Sequence, residues 1–88
     1  MRGAFKMQRL IDLVKGHERV FIELDSEEKM LAFLKQAEEE GFTISGKAPT
    51  NCRCDSVMIL HPDYTINHVG GAITTMLYHS NQSVKVKY

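Results

Sequence analysis

Tryptophan is absent from this 88-residue chain, and proline and cysteine occur only twice each. Two cysteines, Cys52 and Cys54, one residue apart, cannot build the disulfide framework of a small secreted domain. An excess of charge of either sign is also missing, because eleven Lys and Arg offset eleven Asp and Glu. Duplex-DNA binders draw much of their affinity from neutralising phosphates, so this balance disfavours nucleic acid as a partner. It equally disfavours an acidic mimic of DNA. No stretch approaches the ~20 apolar residues of a membrane helix. No apolar run follows Met1-Arg2-Gly3-Ala4-Phe5-Lys6 either, so no secretory signal is expected and the cytosol is the simplest compartment.

What is present reads as globular. A hydrophobic fraction of 43% with 25% charged residues argues against disorder. The length suits one domain, residues 1–88; Met7 is an alternative start that would leave residues 1–6 as a loose tail. Domains of this size bury only about 60% of their unfolded surface. One core and one shallow pocket fit, so a functional site is expected on the surface or between subunits of a homo-oligomer.

Periodicity gives the elements. Residues 5–15 place Met7, Leu10, Ile11 and Val14 on one helical face, with Gly16 just past the end. Residues 19–24 alternate as a strand, with Val20, Ile22 and Leu24 on one side and Phe21 covered on the other. A second helix starts at Asp25 or Ser26; Asp25 and Glu28 have capping-box spacing. Its stripe is Met30, Phe33, Leu34 and Ala37, with Leu31 at the edge, and Gly41 stops it. Glu38–Glu40 at its end read as a solvated face. Residues 42–45 form a short strand and residues 46–55 a polar loop. Val57–Leu60 and Tyr64–Val69 make a hairpin. Residues 72–79 carry Ile73, Met76 and Leu77 at helical spacing against the strand preference of Thr74 and Thr75, and a short helix is expected. Val84, Val86 and Tyr88 alternate with Lys85 and Lys87 as an edge strand. The expected fold is α+β: one small domain, a mixed or antiparallel sheet of about five strands, helices on one face.

The chemistry-bearing residues are few. Cys52-x-Cys54 lacks the spacing and the second pair of a structural zinc site, and a redox pair wants two intervening residues. His17, His61, His68 and His79 have no nucleophile or paired carboxylates beside them, so no catalytic residue, metal or cofactor is expected. The loop from Gly46 to Asp55 is the best candidate for binding. Lys47 and Arg53 can pair with phosphate, and Thr50 and Asn51 can add hydrogen bonds, although no Walker or dinucleotide glycine pattern accompanies them. Tyr64 and Tyr78 could stack on a base. A helix starting after Gly70-Gly71 would present free N–H groups to an anion.

Two stretches resemble a known group when taken together. One runs from Leu24-Asp25-Ser26 through Phe33-Leu34, Ala37-Glu38 and Glu40-Gly41-Phe42 to Gly46 and Pro49-Thr50. The other is Asp63-Tyr64-Thr65-Ile66-Asn67 with Val69-Gly70, then Met76 and His79-Ser80. From Met7 onward the chain resembles small, largely uncharacterised proteins of bacteriophages and mobile elements. The resemblance implies a non-enzymatic accessory protein in the bacterial cytosol that counters antiphage defence. One reading is sequestration of a nucleotide messenger by Lys47, Thr50, Asn51, Arg53, Tyr64, Asn67 and His79. A second is inhibition of a host defence protein such as a CRISPR nuclease, through Glu38–Glu40 or the edge at Val84–Tyr88. A nucleic-acid-binding module is the third.

Overall fold

A computed structural model describes residues 9–88; Phe5 and Met7, within the range read above as the first helix, lie outside them. The elements are α1 (Leu10–Val14), β1 (Val20–Glu23), α2 (Glu27–Glu39), β2 (Thr43–Ile44), β3 (Val57–Leu60), β4 (Thr65–His68), α3 (Gly71–His79) and β5 (Lys85–Lys87), with one 3-10 turn at Pro49–Asn51. Ser26 caps α2: its hydroxyl accepts from the Lys29 N–H at 3.2 Å. Asp25 instead pairs with the Lys29 ammonium at 3.1 Å, so the Asp25–Glu28 capping box is not the one used. Gly41, at φ +93°, adopts the left-handed conformation that ends α2.

The sheet runs in the order β2-β4-β3-β1-β5. β3 is antiparallel to both β1 and β4, while β2 pairs parallel with β4 and β5 parallel with β1. β1, β2, β4 and β5 therefore share one direction, and β3 alone is reversed. Parallel strands need crossover connections. α2 carries the chain from β1 past β3 and β4 to β2; α3 carries it from β4 past β3 and β1 to β5. These crossovers travel in opposite directions over strands of common direction. The right-handed rule then places their helices on opposite faces.

The packing agrees. Leu10 and Val14 of α1, Phe33, Leu34 and Ala37 of α2, and Val20, Ile22, Met58, Leu60, Ile66 and Ile44 of the strands form one buried cluster. Phe21 and Ile59, paired across β1 and β3, are buried outside that cluster. Tyr78 of α3 meets the Phe21 ring edge-on at 5.3 Å. Helices on one face thus describes α1 and α2, while α3 covers the other, which is the cover that Phe21 needs. Leu31, at the edge of the α2 stripe, is 62% exposed, and Met76, which spacing grouped with Ile73 and Leu77, is 73% exposed.

The acidic end of α2 is not simply solvated. The Glu40 carboxylate accepts from the backbone N–H groups of Leu10 at 3.0 Å and Ile11 at 3.3 Å, and from Gln36 Nε2 at 2.9 Å. A five-residue helix is marginal alone; this carboxylate supplies the N-terminal cap that α1 lacks locally. Glu38 accepts from the backbone N–H and the hydroxyl of Thr50.

Candidate functional site

Residues 45–55 are ordered by short-range bonds. Ser45 and Gly46, at φ +52° and +78°, form a two-residue turn of the hairpin type, and Ile44 and Lys47 exchange both backbone hydrogen bonds at 2.9 Å. Pro49 is buried at the first position of the 3-10 turn, which Glu38 caps through Thr50. These bonds hold the Glu38 carboxyl below the usual carboxylate range, the Thr50 hydroxyl first and its N–H second. The Cys52 thiol lies 3.5 Å from the Ala48 carbonyl. Burial, with Asp55 adding to it, pushes the Cys54 thiol up to about 11, which disfavours the thiolate required by metals and redox chemistry. Among the described residues, no group of three or more His, Cys, Asp or Glu is placed to hold a metal ion.

Past this loop the chain reaches the carboxyl ends of the co-directional strands. There β1 leaves for the α2 face and β4 for the α3 face, with the start of β3 between them. Such a divergence opens a crevice at the sheet edge, which is where open α/β sheets bind ligands. A cavity of about 360 Å³ occupies it, lined by Asp55, Ser56, Val57, Val69 and Tyr78. That volume falls within the roughly 300–1,000 Å³ of small-molecule sites. Arg53 stands beside it, Nε 3.3 Å from Asp55 Oδ1, its side chain 78% exposed. His68 Nε2, 2.8 Å from the Arg53 carbonyl oxygen, fixes the loop to the end of β4. The Tyr78 hydroxyl donates to Glu23 Oε2 and Lys85 Nζ sits 4.8 Å from the Tyr78 ring centre. The Glu23 acceptor, with burial and the carboxylate charge adding, raises the Tyr78 pKa.

α3 begins at the same end. Gly70 occupies its cap position without a side-chain bond to the first turn, and the Thr74 and Thr75 hydroxyls donate to the Gly70 and Gly71 carbonyls instead. Among the described residues the first N–H groups of α3 therefore have no side-chain acceptor, and the helix dipole favours an anion there. Gly71, at φ +82°, makes the abrupt entry from Val69 that a residue with a Cβ resists.

The residues singled out in the sequence do not all converge on one site. Arg53, exposed, precedes β3 at the crevice end, while Lys47, also exposed, pairs back on Ile44 at the outer edge of the sheet. Asn51 lies between them along the chain, in the 3-10 turn, and Thr50 is committed to Glu38. Asn67 is exposed on β4, opposite Ile59 on the α3 face. Tyr64 precedes β4 and packs on Phe42 at 5.1 Å between ring centres. His79 closes α3, its ring 5.1 Å from that of Tyr78. Tyr64 stands where β4 starts, away from Arg53, whereas the His79 ring lies against that of Tyr78, which lines the cavity. Asp55 closes the loop singled out in the sequence but was given no role, and Ser56, Val57 and Val69 were missed because nothing in their local sequence marks them; the signal is where β3 begins and β4 ends, legible only once the strand order is known. No protein-family model, curated protein or solved structure matches this chain.

Proposed function

We propose that the protein is a non-enzymatic binding protein that takes a nucleotide in the crevice at the carboxyl end of the sheet. The observation that carries this reading is the divergence of β1 and β4 around a 360 Å³ cavity at the end where α3 opens without a side-chain cap. Phosphate would meet the first turn of α3 and the Arg53 guanidinium, with Lys47 reaching in from beyond β4. The Asp55 carboxylate would accept from ribose hydroxyls, as acidic residues do in dinucleotide sites. Val57, Val69 and the Tyr78 ring would supply the apolar surface for a base. Together with the resemblance to phage and mobile-element proteins, this supports an accessory role in which a nucleotide messenger of host defence is sequestered in the bacterial cytosol, by one chain or by a homo-oligomer.

The test is native mass spectrometry with a panel of cyclic and linear nucleotides. One nucleotide per chain or per dimer is expected, and Lys47→Ala/Arg53→Ala should lose it with little change in Tm, since both side chains are exposed. An apo mass throughout, or full binding by the double variant, rejects the site.

The outer edge of β5 favours one second reading. Among the described residues this three-residue strand pairs with β1 alone, and it exposes Lys85 and Lys87. An inhibitor of a host defence protein would engage its partner along that edge. Glu38 and Glu40, the other surface considered, are committed to Thr50 and α1. A host protein that co-purifies with the chain, and is lost on Lys85→Pro, would support this reading in place of the first.

A further inference from the structure

At the opposite end of the sheet, where β1 and β5 start, a cleft of about 230 Å³ lies beneath the carboxyl end of α3. We infer that this cleft is a site for a small zwitterion of the α-amino-acid class with an apolar side chain. Phe21, Leu77 and Val84 give it apolar surface, beside the polar His17, Ser80 and Ser83. Its rim carries Arg19, Glu18 and Gln82. The Arg19 side chain is 32% exposed, and its contact is a single 3.6 Å approach to Glu18, itself 86% exposed. An ion pair of that kind is weak, which leaves the guanidinium fork open to a carboxylate in the bidentate geometry that arginine favours. The Gln82 side-chain amide has no hydrogen-bond partner among the described residues and can bind the same group.

The other charge is provided for as well. The carboxyl end of α3 overhangs the cleft, its Leu77 and Tyr78 carbonyls accepting from the Ser80 N–H and the Ser83 hydroxyl, and a helix dipole is negative there. With the Glu18 carboxylate it favours an ammonium. Positive and negative recognition thus flank the apolar Phe21, Leu77 and Val84, as an amino acid requires and a simple anion does not. The volume, below the roughly 300–1,000 Å³ of drug-sized sites, suits a molecule of that size. The inference is independent of the nucleotide reading, because the two cavities share no lining residue.

The experiment is an amide-resolved NMR titration of the full chain with L-valine, L-leucine, L-methionine and L-phenylalanine. At least one should shift the Gln82 and Val84 amides saturably. Its analogues lacking the carboxylate or the ammonium should bind about tenfold more weakly or worse, as should Arg19→Gln and the charge-preserving Arg19→Lys. Arg53→Ala should bind as the native chain does. Absence of a saturable shift with all four, equal affinity for either half-molecule, or unchanged affinity in both Arg19 variants overturns the assignment.

Discussion

The Glu40 carboxylate sits between three donors, the Leu10 and Ile11 N–H groups and Gln36 Nε2, and is only half-buried. Glu40→Ala leaves the first N–H groups of α1 without that acceptor and should cost about 1–2 kcal/mol, the range of a lost helix cap. For a domain this size that is a fall in Tm of about 4–16 °C, and urea unfolding of the two proteins checks it. An unchanged midpoint would mean that water replaces the carboxylate at no cost. Glu38 gives a pH signature instead. Its folded pKa is depressed by Thr50, so its contribution is present above the ordinary carboxylate range and is lost as pH falls through the folded value. Thr50→Val removes the larger cause and should move the Glu38 titration, followed by side-chain NMR, back up towards the ordinary range. Neither role was legible in the sequence. A glutamate at a helix carboxyl end is locally unfavourable, and the partners that reverse the balance lie 30 and 12 positions away.

Element boundaries were the legible part, because their causes are local. Spacing gave the stripe of α2, Gly41 its end and two adjacent residues its start. The structure decides between those two, and a pair of variants tests the decision. Ser26→Ala removes the cap on the Lys29 N–H and should cost about 1 kcal/mol. Asp25→Ala removes an exposed i,i+4 pair and should cost about 0.5 kcal/mol or less. Equal losses in chemical denaturation would return the cap to Asp25. α3 was ambiguous for a physical reason: Thr74 and Thr75 favour strand conformation locally, whereas a parallel connection from β4 to β5 needs a helix. The requirement comes from the sheet order and overrides the propensity. Sheet order also explains why the candidate binding set came apart. Arg53 stands beside the cavity, but Lys47 folds back onto Ile44 at the far edge of the sheet and Tyr64 precedes β4 at its other end, so these residues had only residue type in common.

At the scale of the whole molecule, two phenols fasten the helical layers to the β1–β5 side of the sheet. Tyr78 does so on the α3 face, through its bond to Glu23 and its contact with Phe21. Tyr88 does so on the α2 face, donating to Gln36 Oε1 at 2.7 Å with its ring 5.6 Å from that of Phe33. Both pKa values are raised, Tyr78 first by its carboxylate acceptor and Tyr88 first by burial, with Glu40 and Glu39 adding to it. A raised phenol pKa means that the fold prefers the neutral form. The contribution is intact below the ordinary tyrosine value, about 10, and is lost as pH rises through the folded values. The α2 and α3 layers should therefore loosen together in alkali. The Cys54 thiol, pushed up to about 11, adds a decline of the same sign, so the informative quantity is a difference. Urea midpoints of the native chain and of Tyr78→Phe/Tyr88→Phe, taken from about pH 8 to about pH 11, should converge as the phenols ionise. The double variant loses two hydrogen bonds and starts lower, but it has no phenolate to bury and should decline less steeply. Parallel curves would show that ionisation of these two hydroxyls is not what limits the fold in alkali.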